Sequence, residues 1–129
     1  MTSRLNSIAP EIESRFLVVS EDLTNSIALN VALWAVESNV SAENQLHELA
    51  ESIDAKFAER ISKAFDERYF ESKDQNPTEA LKYFSCARAA SSMAFALSKN
   101  PTEAIYEAII ATNDLTTIKS LVTKGLLNG

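Results

Sequence analysis

Glycine is almost absent from this chain, which has only two glycines among its 129 residues, at positions 125 and 129. Hairpins, β-bulges and phosphate-binding loops all use glycine, because its backbone reaches angles that strain other residues. No glycine is available for them between Met1 and Lys124. This scarcity argues against an all-β fold, a Rossmann dinucleotide site and a P-loop.

Cysteine is equally scarce, and the single Cys86 cannot form a disulfide within the chain. We expect Cys86 to be a small residue in or near the core. The first seven residues lack the apolar segment of a secretory signal. Together these features predict a cytoplasmic protein.

No apolar run is long enough to cross a bilayer. The longest, Ile27–Val36, covers ten positions including Asn30, which is about half of the length that a membrane span requires. It is apolar nearly all round, so we expect a buried helix and no contact with a membrane. The chain has 46% hydrophobic residues, enough for one domain, 1–129, to build a core without disulfides or metal.

Positive charge is missing from the first half. Residues 1–55 hold nine acids and only two bases, a net charge of −7, whereas residues 56–129 carry +1. The overall charge of −6 repels nucleic acid, so we expect no nucleic-acid partner. The acidic half is either a solvated surface that keeps the protein soluble or a docking face for a basic protein. The docking interpretation assigns partner binding to Glu37, Glu43, Glu48, Glu51 and Asp54.

The three prolines all stand where helices are expected to begin, since proline is favoured at the first helical position. Asn76-Pro77-Thr78-Glu79-Ala80 recurs as Asn100-Pro101-Thr102-Glu103-Ala104. Asparagine as N-cap with glutamate at the third helical position is a capping-box arrangement. We interpret the repeat as one start signal used twice, because a solenoid needs at least three units. Both asparagines are predicted to cap their helices.

Hydrophobic periodicity predicts an all-α bundle of five main helices without a sheet. The first runs from about Pro10 to Val19, and the second, capped by Ser20, extends to about Ser38 and forms the centre of the fold. Ser41 caps a long third helix that reaches Tyr69, and a polar loop follows from Glu71 to Asn76. The fourth spans about Pro77 to Ser98.

The fifth helix is predicted from Pro101 through Val122. Residues 112–114 offer side-chain bonds that compete with a helix, but the unbroken apolar phase favours a continuous or gently kinked one. Gly125 is predicted to end it with a left-handed cap.

No residue pattern indicates catalysis. His47 lies between Glu43 and Glu51 at helical spacing, but a helical di-metal site needs a second histidine and the chain has one. Neither Cys86 nor any serine lies within a sequence motif that is typical of a catalytic nucleophile, such as Gly-x-Ser-x-Gly. We therefore expect no enzyme activity, no catalytic residues, no metal and no cofactor.

Two polar residues interrupt apolar stretches. Asn30 is predicted to be a buried polar group that fixes helix register, or else part of a small-ligand pocket. Arg88 is expected to pair with an acid of a neighbouring helix, and contact with a ligand anion is its alternative role. Trp34 and Phe95 are predicted core residues that would also suit an interface.

The segment from Cys86 to Val122 resembles part of the bacterial YjaG-like family of all-helical proteins. Cys86-Ala87, Thr102 and Leu115-Thr116-Thr117-Ile118 after Asn113-Asp114 carry the resemblance. Family members are generally longer, and the first half of this chain matches them only in its helical pattern. An Asn-Pro insertion precedes the fifth helix. The resemblance implies a helical fold and supplies no activity.

These observations favour a non-enzymatic interaction module whose acidic half docks a basic protein, as in an immunity protein or antitoxin. One alternative is a self-associating helical protein, a homo-oligomer with the small residues Ala87, Ser91 and Ala94 packed across a two-fold axis. Another alternative is a small-ligand binder with a pocket around Asn30 and Arg88.

Overall fold

A computed structural model describes residues 4–39, 45–51 and 54–128, and for residues 45–47 it describes the backbone alone. This part of the chain is all-helical, as predicted, and contains no strand. Its eight helices are α1 (Arg4–Ile8), α2 (Pro10–Phe16), α3 (Glu21–Asn39), α4 (Gln45–Ala50), α5 (Ala55–Ser72), α6 (Pro77–Leu97), α7 (Pro101–Thr112) and α8 (Leu115–Asn128). None of the helices described has the length and apolar character needed to cross a membrane.

The helix starts at Pro10, Ser20 and Asn76 are confirmed. Pro10 opens α2, and the Leu23 N–H donates to the Ser20 hydroxyl at 3.2 Å before α3. Asn76 caps α6, since its Oδ1 accepts from the Glu79 N–H at 3.2 Å. Its side-chain Nδ2 also donates to the Glu79 carboxylate at 3.2 Å, whereas its backbone N–H bonds to the Ser72 carbonyl, so the second bond of a capping box is replaced by a bond between side chains. Asn100 differs, because its side chain makes no capping bond to α7.

The prediction of one long third helix is wrong, because this segment forms two helices, α4 and α5. Asp54 caps α5 by accepting the Lys56 N–H at 2.9 Å. The apolar phase continues across this point, so periodicity could not reveal the break. The predicted cap Ser41 lies outside the described residues.

The prediction of a continuous fifth helix is also wrong, because the segment forms α7 and α8. Asn113 adopts a left-handed conformation, with φ 52° and ψ 36°, and ends α7. Asp114 then starts α8 by accepting the Thr117 N–H at 3.0 Å. Lys99, between α6 and α7, likewise has φ 61°. Left-handed turns favour glycine, and with none nearby these two residues take its place.

Gly125 does not end the last helix, contrary to prediction. It lies inside α8 without a positive φ, and a Cβ built on it would stand 2.6 Å from Cγ1 of Ile27 on α3. Its function is close packing between α8 and α3 rather than termination.

The core lies among α3, α6 and α7 and is rich in alanine. α6 packs against α3, α4, α5 and α7, and α3 packs against α4, α6, α7 and α8. Small residues let these helices approach closely enough for side chains to bond facing backbones. The hydroxyl of Ser92 on α6 donates to the Ala104 carbonyl on α7 at 2.6 Å, and Ser62 on α5 donates to the Ala87 carbonyl at 3.0 Å.

Polar contacts tether the N-terminal helices to the C-terminal half. Arg4 on α1 pairs with Glu103 on α7, and the Glu103 carboxylate raises the pKa of the Arg4 guanidinium. Lys119 on α8 pairs with Glu11 on α2, and this hydrogen bond lowers the pKa of the Glu11 carboxyl.

Candidate functional site

The first candidate is the acidic segment 16–55, which contains seven acids and neither lysine nor arginine. Glu37 at the end of α3, Glu48 on α4 and Glu51 just after α4 are exposed. Their carboxylates form no ion pair with any residue that the structure describes. Glu43 lies outside the described residues. The three carboxylates that the docking hypothesis names and that the structure describes here are therefore accessible from solvent.

Asp54 is exposed too, but it has a structural role as the N-cap of α5. A substitution at Asp54 would therefore perturb α5 as well as the surface charge. The side chains of Glu48 and Glu51 make no such contact with the residues that the structure describes, so they are the better probes of docking.

The second candidate is a partly buried charge network centred on Arg88 of α6. Its Nη2 donates to both carboxylate oxygens of Asp66 on α5, at 2.9 and 3.2 Å. Its Nη1 donates to Oε1 of Glu107 on α7 at 3.1 Å. The side chain of Glu107 is only 3% exposed. The ion pair expected for Arg88 is confirmed, and it joins three helices.

Two further donors reach the Glu107 carboxylate. Ser91 donates its hydroxyl to Oε1 at 3.2 Å, and Arg4 Nη2 lies 3.4 Å from the same oxygen. Arg4 also lies over the Tyr106 ring, 4.2 Å from its centroid. With arginines and a hydroxyl around it, this carboxylate is positioned for holding α1, α6 and α7 together rather than for proton transfer to a substrate.

Sequence reasoning did not identify Glu107 or Asp66 as partners of Arg88. Glu107 and Glu103 are the only charged residues of α7. An acid in the middle of so apolar a helix is a signal of burial beside a cation. Asp66 has no such signal, because acids are frequent on α5.

Asn30 is exposed on α3, so the buried, register-fixing role predicted for it is wrong. Its position on the helix faces a groove of about 340 Å³ between α3 and α8, lined also by Lys124 and Gly125. Arg88 does not line that groove. The structure therefore does not unite Asn30 and Arg88 in one pocket.

The small-residue stripe predicted for self-association is occupied within the chain. Ala87 is fully buried and Ala94 is 6% exposed, while Ser91 bonds to Glu107 of α7. Ala87 and Ala94 are thus used in packing within the chain, and Ser91 in a bond to α7. Cys86 is buried as expected, and Trp34 and Phe95 are half-buried against the core.

The metal hypothesis around His47 falls on Glu43 and on the His47 side chain, both outside what the structure describes. Among the side chains that it does describe, no group of three histidine, cysteine or acidic residues is arranged to hold a metal ion.

A third feature is a cleft of about 420 Å³ between α5 and α6, beside the charge network. Asp66 and Ser91 belong to both the cleft and the network. The cleft also reaches Asn100 at the start of α7.

Comparison with protein families, with curated proteins and with solved structures gives no match to this chain.

Proposed function

We propose that this protein is a non-enzymatic interaction module that docks a basic protein partner on its acidic segment 16–55. The observation that carries the proposal is the complete absence of lysine and arginine from those 40 positions. An ordinary solvated surface mixes both signs of charge. A field of one sign instead steers an oppositely charged partner and raises its association rate.

A specific form of the proposal is an immunity protein or antitoxin that neutralises a basic nuclease in the cytoplasm. Such an inhibitor needs a stable scaffold with a complementary surface and no catalytic group of its own. The accessible carboxylates of Glu37, Glu48 and Glu51 support this form. The resemblance to the YjaG-like family is compatible with it and would place the protein in bacteria.

The experiment begins with the protein encoded next to this one, since a toxin and its antidote are usually neighbours. Its association with the wild-type chain is measured by stopped-flow fluorescence at several salt concentrations. The paired change Glu48→Lys and Glu51→Lys should leave thermal stability nearly unchanged and slow association. The wild-type rate should fall steeply as salt is raised, because salt screens exposed charges.

The matched control is the pair Glu67→Lys and Glu71→Lys on α5. It makes the same change in net charge at exposed positions outside segment 16–55. If docking occurs on the segment, the control slows association much less. Equal slowing by both pairs, an on-rate indifferent to salt, or no binding of the neighbouring protein would contradict the proposal.

A further inference from the structure

The seam between α5 and α6 is filled at one end and open at the other. The helices run antiparallel, and near their connecting turn the Tyr69 and Phe84 ring centroids lie 5.6 Å apart. Phe65 and Tyr83 stack at 6.4 Å in the same part of the seam. Toward the far end, a cleft of about 420 Å³ opens between the helices.

Each helix contributes one face to the cleft, with residues at spacings of three and four. On α5 the lining residues are Glu59, Ser62, Lys63 and Asp66, and on α6 they are Ser91, Ala94 and Phe95, followed by Ser98 just after the helix. Large apolar residues at these positions would have closed the seam and buried more apolar surface. The chain instead places polar groups around a cavity of the size that binds small molecules.

Four of the polar side chains around the cleft are uncommitted. The Glu59 carboxylate, the Lys63 ammonium, the Ser98 hydroxyl and the Asn100 amide make no hydrogen bond or ion pair with any residue in the described part of the chain. The others are engaged, since Asp66 is held by Arg88 and the two remaining serines donate to neighbouring helices.

Asn100 is the clearest example of a side chain at the cleft that makes no bond within the described part of the chain. In the same five-residue sequence, Asn76 caps its helix, whereas the Asn100 side chain leaves α7 uncapped and lines the cleft. An N-cap bond is normally stabilising. The amide of Asn100 is therefore available to a ligand.

We propose that the cleft binds an aliphatic α-amino acid in its zwitterionic form. Glu59 and Lys63 lie one helical turn apart and offer opposite charges, which matches the ammonium and the carboxylate of one amino acid. Asn100 donates to the ligand carboxylate, and the aliphatic side chain packs on Ala94 and Phe95. This site is independent of the docking function, because it lies wholly outside segment 16–55.

The test is a titration of the ¹⁵N-labelled full chain with L-leucine, followed by amide chemical shifts. L-valine and L-phenylalanine are titrated as ligands with a smaller and a larger side chain. Two analogues each lack one charge: 3-methylbutylamine has no carboxylate, and 4-methylpentanoate has no amine. We expect saturable shifts at the cleft residues with an amino acid, and weaker binding of both analogues.

Variants assign each charge to its partner. Glu59→Gln should weaken L-leucine binding by up to about fivefold, the upper end for exposed charge pairs, but leave 4-methylpentanoate binding unaffected. Lys63→Met should weaken L-leucine to a similar extent and leave 3-methylbutylamine unaffected. Glu67→Gln on α5 and Lys82→Met on α6 remove one negative and one positive charge outside the cleft and serve as controls.

Blocking the cleft provides a second measurement. Ser98 is exposed at the end of α6, so Ser98→Leu should fold normally while abolishing the shifts. The proposal is overturned if no amino acid gives saturable shifts at the cleft, if binding survives Ser98→Leu, or if the control variants weaken binding as much as Glu59→Gln and Lys63→Met.

Discussion

Arg88 and Glu107 form an ion pair across the α6–α7 interface, with the arginine Nη1 3.1 Å from Oε1 of a carboxylate that is 3% exposed. Two charges removed from water in this way gain little net stability from meeting each other. Removing Arg88 alone, however, leaves the buried carboxylate of Glu107 without its main compensating charge, which is costly.

The first prediction is that Arg88→Met destabilises the fold by about 2–3 kcal/mol, below the full cost of breaking a buried pair because Arg88 is 21% exposed. Glu107→Gln should lower the free energy of unfolding less in the Arg88→Met background than in the wild type. The difference, which is the coupling free energy between the two residues, should be about 1 kcal/mol or more. Urea unfolding of the single and double variants measures it. The exposed pair Lys119–Glu11 is the control, and its coupling should disappear at high salt. Strictly additive costs would count against the network.

The second prediction separates the two copies of the repeated pentapeptide. Asn76→Ala should lower the free energy of unfolding by about 0.5–2 kcal/mol, because it removes the acceptor for the Glu79 N–H. Asn100→Ala should be close to neutral, because that side chain makes no capping bond. Denaturant unfolding of both variants decides the point, and equal losses would show that Asn100 caps α7 after all.

A third prediction concerns Gly125. Glycine to alanine inside a helix normally stabilises by about 0.5–1 kcal/mol, but here the new Cβ meets Ile27, a β-branched side chain that is 2% exposed and has little room to move. Gly125→Ala should therefore destabilise by about 1–3 kcal/mol, as overpacking does. In an Ile27→Ala background the same change should be neutral or stabilising. A more stable Gly125→Ala in the wild-type background would contradict the close packing of α8 on α3.

The fourth prediction is a pH dependence at the start of α8. Hydrogen bonds from the Thr117 hydroxyl and then from its N–H lower the pKa of the Asp114 carboxyl below its ordinary value. A lowered pKa in the folded state contributes stability above the unfolded pKa, near 4, and this contribution is lost as pH falls through the folded value. Asp114→Asn keeps a capping oxygen without titrating. The Tm advantage of the wild type over Asp114→Asn should therefore shrink below about pH 4, and a constant difference from neutral to acid pH would disprove the titration.

Local signals in the sequence determined the helix class and most helix starts. Pro77 and Asn76 mark the beginning of α6 through contacts within one helical turn, so neighbouring residues are sufficient to predict them. The burial of Cys86 and the need of Arg88 for an acid follow from residue chemistry. The exposure of Glu37, Glu48 and Glu51 likewise requires no knowledge of the fold.

Only the tertiary structure decided the rest, because it depends on which helices meet. Asp66 and Glu107 are 22 and 19 residues from Arg88, and no local pattern selects them from the other acids. Gly125 resembles a helix stop until Ile27 is packed against it, and Asn30 looks buried until the exposed face of α3 is known. The breaks at Asp54 and Asn113 keep the apolar phase of a longer helix, so periodicity does not show them. The fold shows them through the Asp54 cap of α5 and the left-handed conformation of Asn113.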